Sequence, residues 1–417
     1  MIYFIIMIVF SPFTAIIPAV YAVNLIFKKR IKIEKNYWNI GLFLLFVYSV
    51  FSGIVNKNLL SLLSSSILFL YFGLNVFSQN YFVKISRINV VIKYVVYLSV
   101  IAAGGGIIEK IIFILIGMPK HRVFSSFGNP NMAGAWFGSI ILMIFYLKCI
   151  NKRKKNSIIY NFSIILILVA LLLTESTGAF IALVGSIFVY YILKEKKDIR
   201  GLIAICITVG ISSMFFFIVQ NKIANTTPIG ELVISFNSRY RIWIGAISMI
   251  LKKPITGWGM LGMMQQGSNF VFSDDPSLHN KIIDFLIHPH NLWLTFLVAL
   301  GIVGLLIYLY IKINLYKDMI SLYKQHNKML PLIASINTMI IIQGIVDCTL
   351  YAPQLAIIFV FIGTVTYNMA NNKMVRKVNF SKEKNKKNDN KDIAVWISCL
   401  RVTICKNVVI LFVYKLF

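Results

Sequence analysis

Acidic side chains are scarce: 14 Asp+Glu stand against 42 Lys+Arg in 417 residues, and only 13% of the chain is charged. Water-soluble domains carry about 25% charged residues, so this shortage excludes an ordinary soluble enzyme and a disordered tail. Cysteine is scarce too. The five cysteines, Cys149, Cys206, Cys348, Cys399 and Cys405, show no CxxC spacing and form no even-numbered extracellular set, which excludes a disulfide scaffold and assigns them to packing. The apolar runs hold almost no ionisable group beyond Lys93, whereas ion-coupled transporters need intramembrane carboxylates or histidines. What is abundant is hydrocarbon: 58% of residues are hydrophobic and mean hydropathy is +0.79. Several runs reach the ~20 residues that cross ~30 Å of bilayer. The expected fold is all-α, a polytopic transmembrane helical bundle of eleven to twelve spans with a large extracytoplasmic loop containing short helices.

Spans read near 1–27, 37–55, 59–77, 90–108, 132–150, 157–173, 179–193, 201–219, 291–311, 329–346 and 354–370. Placing the lysine-rich segments 28–35, 151–156 and 194–200 in the cytoplasm fixes every other loop by alternation. Inner segments then carry 28 Lys+Arg and the outer loops, longer in total, carry 10, with seven acids on each side. The net charge of +28 is therefore a topology signal and an attraction to anionic lipid, and nucleic-acid binding is not needed to explain it. Pro12 and Pro18 leave two readings of the first run: one span, or a re-entrant or kinked pair. The organisation expected is a membrane region over 1–219 with an outer loop at 109–131, then an extracytoplasmic cap at 220–290. Spans follow over 291–370, then a basic cytoplasmic tail at 371–392 and an apolar, membrane-associated segment at 393–417.

Two outer loops are long, 109–131 and the 71-residue 220–290, and loops of that length are functional or disordered. The aromatic residues of 220–290, Trp243 and Trp258 among them, argue for a folded cap. Outside the cytoplasmic membrane there is no ATP, so group transfer there requires a donor that arrives activated, on a lipid carrier. Gly257 to Gly262 fits GxGxxG but follows Pro254 with no preceding strand, and reads as a Gly-rich turn re-entering the membrane surface.

Three stretches carry candidate chemistry. In the first, Arg122 precedes Asn129-Pro130-Asn131 at the mouth of a span; Asn131 is a natural N-cap, and the arginine either grips a phosphate or snorkels to headgroups. In the second, Ser238 to Trp243, a helix would set Arg239 on the apolar face with Ile242 and Ala246, and Arg241 about 200° away. An arginine on an apolar face needs an anionic ligand or partner, which favours Arg239 as the ligand-facing one. The third is His288-Pro289-His290-Asn291, leading into a span whose Gly301 and Gly304 permit close helix packing. A histidine here serves as a general base, as a cap, or as a metal ligand with His279, Asp284 or the Asp274-Asp275 pair. Glu175, in the outer turn 174–178, either pairs with an outer arginine or is solvated.

In order and spacing these pieces resemble the bacterial O-antigen ligase and polymerase family of membrane glycosyltransferases. The resemblance rests on Arg122 with Phe127 to Asn131, on Thr174 to Ala179, on Ser238 to Trp243 with Pro254 to Gly259, and on His288 to Gly304. It covers roughly 120–310 and implies inverting transfer of a glycan from undecaprenyl diphosphate to an acceptor hydroxyl of a glycan or lipid, at the outer face of the bacterial cytoplasmic membrane, with no cofactor and no metal. It implies that Arg122 and Arg239 engage the diphosphate and that His290 is catalytic. Arg241, His288, Asn129, Asn131, Glu175 and Trp243 are the further candidates to bind substrate around them, with Arg241 otherwise solvated or bound to headgroups. Family members often show Ser-Arg-Gly where this chain has Ser176-Thr177-Gly178, so a positive charge is absent there, and Arg241 or Lys281 are candidates to replace it. Heavy Ile, Lys and Asn use leans toward a capsule or surface-polysaccharide polymerase; a ligase acting on a lipid or protein acceptor is the alternative, and a non-catalytic flippase or exporter is the reading from another class.

Overall fold

The structure, a computed structural model, describes residues 2–151, 153–194, 228–271, 283 and 286–371. The expected span 201–219, the segments 372–392 and 393–417, and His279, Lys281, Asp274, Asp275 and Asp284 lie outside the described residues. The described residues hold helices and no strand. We number the helices α1 (Ile2–Phe10), α2 (Ile17–Phe27), α3 (Tyr37–Val55), α4 (Leu59–Tyr81), α5 (Ile85–Leu115), α6 (Pro130–Ile150), α7 (Lys154–Leu173) and α8 (Thr177–Leu193). Then follow α9 (Pro228–Lys252), the short α10 (Gly262–Gln266), α11 (Leu292–Lys324), α12 (Leu330–Val346) and α13 (Pro353–Ala370). Seven helices are long and apolar enough to cross a membrane, and three shorter apolar stretches, Thr14–Phe27, Thr177–Leu193 and Leu330–Val346, accompany them. The chain is a multi-pass membrane protein.

Asparagine starts many of these helices. A side-chain oxygen just before the first turn satisfies amide hydrogens that have no helical partner. Asn36 accepts from Asn39 N, Asn58 from Ser61 N, and Asn291 from both Trp293 N and Leu294 N. At α6 the cap is Asn129, which accepts from Asn131 N at 2.8 Å. This corrects the expectation for Asn131: Pro130 takes the first helical position, so the cap falls two residues earlier, at Asn129, and the Asn131 side chain is released for other bonds.

The first apolar run folds back on itself. Phe4 in α1 packs on Tyr21 in α2 with ring centroids 5.1 Å apart, and Thr14 Oγ1 donates to Met7 O across the break at Pro12. A nine-residue helix rises only ~13 Å, too short to cross, so the re-entrant pair is the reading the structure adopts. α6 and α13 run through the middle of the bundle, each 78% buried over its apolar window, while α5 and α7 are 28% buried and form part of the rim. α12 lies along α8 and α6.

Two expected boundaries move. α5 continues to Leu115, so Glu109 and Lys110 belong to a helix and not to the outer loop. α11 runs 13 residues beyond the predicted end at 311, which places Lys312 inside the bundle, 3% exposed, donating to Asn337 Oδ1 at 2.9 Å and lying over the Phe359 ring. Lys93 is therefore not nearly alone as an ionisable group within the helices.

The glycines of α11 serve a different purpose from close packing between helices. Gly301 has φ 62° and ψ −165°, which breaks the helix and strips the neighbouring backbone of its partners. The segment Pro254 to Gly259 enters this break. Trp258 N donates to Val298 O and Gly259 N to Ala299 O, each at 2.8 Å, while Ile302 N donates to Pro254 O at 2.8 Å. α3 holds the same segment from the other side, through Tyr48 to Ile255 O, Ser52 to Thr256 O and Asn56 to Gly257 O. The glycine-rich turn is thus a plug that repairs a broken helix.

Candidate active site

The loops expected on the outer side converge at one end of the helices, where four side chains form a continuous chain of hydrogen bonds. Arg122, in the loop before α6, donates from Nε to Thr174 O at 3.1 Å and from Nη2 to Glu175 O at 3.2 Å, both in the turn between α7 and α8. Nη2 also donates to Asn131 Oδ1 at 3.1 Å. These three acceptors are uncharged and orient the guanidinium. Asn131 Nδ2 donates onward to Asp347 Oδ2 at 2.8 Å, and Asp347 Oδ1 meets His290 Nδ1 at 3.3 Å.

Asp347, 1% exposed at the C-terminal end of α12, is the residue that sequence reasoning missed. One signal was present: it is the sole acidic residue between Asp318 and Glu383. Burial pushes its pKa up, but the hydrogen bond from His290, the attraction between the carboxylate and whichever histidine ring is protonated, and the Asn131 amide outweigh burial and hold the carboxyl well below the ordinary carboxylate range. An ionised carboxylate can only accept. The proton of a neutral His290 therefore sits on Nδ1, and its lone pair on Nε2.

His288 completes the cluster. Its Nδ1 accepts from the His290 backbone N–H at 3.0 Å, its Nε2 lies 3.6 Å from Asp347 Oδ1, and its ring rests on Tyr351. Burial pushes its pKa down to about 4, against the pull of Asp347, so it is neutral at pH 7. The bond from His290 N holds the backbone where His290 adopts φ 49°, a conformation uncommon for a residue with a side chain. Cys348 donates its backbone N–H to Asp347 Oδ1, while burial pushes its own thiol up to about 12, in keeping with a packing role.

His288, His290 and Asp347 present ligand atoms within 4.8 Å of one another, a set that differs from the one foreseen in sequence. Neutral His288 carries its proton on Nε2, the atom facing Asp347, because Nδ1 accepts a backbone bond. A metal at these atoms would require that bond to be given up and the proton moved.

The remaining candidates divide. Trp243 donates from Nε1 to Pro289 O at 2.9 Å, so its indole props the histidine segment. Arg239 lies one turn before Trp243, on the side of α9 that carries the buried Ile242 and Ala246, and Arg241 lies away from that side. Both arginines are half-buried. Asn129 is committed to its cap. Glu175 neither pairs its carboxylate with an outer arginine nor lies in solvent: it meets Lys110 Nζ at 3.3 Å, and Lys110 also donates to Pro119 O and His121 O. Lys110 thereby supplies a cation at the turn where the sequence suggested one was missing. His121 is held apart from the cluster by Glu109 at 2.7 Å and by stacking on Phe113.

Residues 162–309 match the family described as O-antigen ligase. Over 255 residues the chain is 25% identical to the ComP-specific O-oligosaccharyltransferase of Acinetobacter baylyi, an alignment that covers 56% of this chain and 43% of that protein. The chain thus spans less than half the length of this curated relative. The family segment contains Glu175, Arg239, Arg241, the inserted plug and the histidine pair, while Arg122, Asn131 and Asp347 reach the site from outside it. Over 162–309, set in a bundle of membrane helices, the chain is thus similar to the O-antigen ligase family.

Proposed function

We propose that this protein is a membrane glycosyltransferase of the ligase type, moving a glycan from a polyprenyl-diphosphate carrier to an acceptor hydroxyl at the outer face of the cytoplasmic membrane. The observation that carries the reading is the chain Arg122, Asn131, Asp347, His290, which joins a phosphate-binding cation to an oriented base through a half-buried amide and a buried carboxylate. His290 Nε2 takes the proton of the acceptor hydroxyl as its oxygen attacks the anomeric carbon, and the bond from that carbon to the diphosphate oxygen breaks. The departing diphosphate gains negative charge, which Arg122 and Arg239 offset in a site shielded from water. Attack from the face opposite the leaving group inverts the anomeric centre, and no metal takes part. Asp347 fixes the tautomer of His290 and stabilises it once protonated, as a carboxylate does behind a catalytic histidine.

The polymerase lean drawn from composition yields to the ligase reading, because both the family and the relative are named for glycan transfer to an acceptor. The relative's name marks it as specific for ComP, and the hydroxyl used here is that of a protein or a lipid. The test is to incubate purified, reconstituted protein with undecaprenyl-diphosphate oligosaccharide, with and without acceptor, in the presence and absence of EDTA. Product that appears only with acceptor and is indifferent to EDTA is the expected result. A ladder of multimers without acceptor would reassign the protein as a polymerase, and carrier-linked glycan crossing the bilayer without any new glycosidic bond would make it a transporter.

A further inference from the structure

α9 has two apolar faces, and only one of them is used by the fold. Ile242, Ala246 and Met249 are buried and pack with Met263, Val271, Leu286 and Val298. On another side Tyr240, Ile244, Ile247 and Leu251 are 52%, 47%, 48% and 75% exposed. Their spacing of four, three and four residues keeps them within an arc of about 60°. Arg241, Ser248 and Lys252 border this row on one side, between it and the core face, with the Lys252 ammonium over the Phe270 ring. Helices with an apolar row edged by cations lie in the plane of a membrane surface, hydrocarbon inward and charge at the headgroups.

The row is continuous with a lipid-facing surface. Ile255, 62% exposed just beyond the helix, accepts at its carbonyl from Tyr48 of α3. The outer half of α3 presents Val47, Phe51 and Ile54 to the surroundings, each at least 45% exposed, as a membrane helix does toward lipid. The apolar belt of the bundle therefore reaches Ile255 and continues, past Lys252 and Lys253, onto the exposed row of α9.

We propose that α9 is a membrane-surface helix, with Tyr240, Ile244, Ile247 and Leu251 sunk into the leaflet beside α3 and with Arg241 and Lys252 at the anionic headgroups. That this leaflet is the outer one rests on the outer-face reading above; the insertion does not. With the row in lipid, Arg239 on the adjoining side is held near headgroup depth, where a carrier diphosphate would lie.

Two measurements test this. The unmodified protein, reconstituted in vesicles of phosphatidylethanolamine and phosphatidylglycerol containing a lipid with a diazirine near the acyl carbonyl, is illuminated and digested with trypsin. Lipid adducts on the peptide Ile242–Lys252, alongside adducts on α3, are expected. Adducts on α3 with none on that peptide would overturn the proposal. Separately, nitroxide labels at Ile247→Cys and Ser248→Cys, in a form whose five native cysteines are serine, are compared for collision with oxygen and with a water-soluble nickel chelate. At least a threefold higher oxygen-to-nickel ratio at 247 than at 248 is expected. Three results would each sink the idea: ready access of the chelate to 247, which means water; exclusion of both reagents, which means another segment of this chain; and a disulfide between two copies through Ile247→Cys. The last would assign the row to a second copy, since the spacing also suits paired helices. None of these readouts depends on transferase activity, so failure here and failure of the glycan-transfer reading are distinguishable.

Discussion

The histidine pair shows how two identical side chains take different parts. His288 is buried, accepts a backbone hydrogen and stays neutral; His290 is turned by that same bond so that its Nδ1 meets Asp347. Replacing Asp347 by Asn keeps the shape but removes the charge that fixes the His290 proton on Nδ1. We expect Asp347→Asn to lower kcat by roughly 10²- to 10⁴-fold, the range that general-base catalysis and its orienting carboxylate supply. A near-normal turnover in reconstituted vesicles would remove Asp347 from the mechanism. Both buried groups also tie stability to pH. His288 has its folded pKa lowered to about 4 from 6.5, so between those values the unfolded chain binds more protons and stability falls as pH falls. Asp347, also lowered, adds stability that is present above the ordinary carboxylate range and is lost below it. Thermal unfolding in detergent should therefore occur at lower temperature at pH 5 than at pH 7.5, with His288 costing at most about 1.4 kcal/mol per pH unit. His288→Gln should flatten that slope, and an unchanged slope would mean that His288 titrates normally.

At the scale of the element, the break in α11 and the plug that fills it decide where the histidine segment stands. A Cβ on Gly301 would lie 2.0 Å from Ile255 O, and its positive φ is itself unfavourable to any other residue. Gly301→Ala should cost about 1–3 kcal/mol from backbone strain alone, with more from the clash. The expected readouts are a lower unfolding temperature and a fall in activity, because the first turns of α11 carry the histidines with them. A variant as stable as the native protein would show that the plug bears no strain. From sequence, the glycines at 257, 259, 301 and 304 were legible as backbone signals, but not as two halves of one joint. That joint is made of main-chain bonds between residues 40 to 48 positions apart, and main-chain bonds leave no mark in side-chain identity.

At the scale of the molecule, the site lies at one end of a helical bundle whose alternating loops gather there, and its parts come from four loops on either side of most of the chain. Each helix taken alone presents one or two polar residues at its end, which water or headgroups could satisfy. Brought together they form a half-buried charged cluster around the buried Asp347, and a buried charge is tolerable only when its partners are supplied. This is why Arg122, Asn131, Asp347 and His290 are better regarded as one unit than as four, and why losses from their single substitutions should not add.

The amino-acid sequence alone determined that the chain is helical and membrane-embedded, roughly where most of its described spans fall, and that Arg122, Arg239 and His290 are candidates for the chemistry. These follow from hydrophobic length, from lysine placement and from residue chemistry, all of which act locally. Only the tertiary structure decided that Asp347 stands behind His290, that Lys110 and not an arginine answers Glu175, that Trp243 supports Pro289, and that the glycine-rich turn closes a broken helix. Those are choices of partner. A polar side chain in an apolar bundle must find one, but the chain carries many that would serve, and which of them arrives is set by how the helices pack.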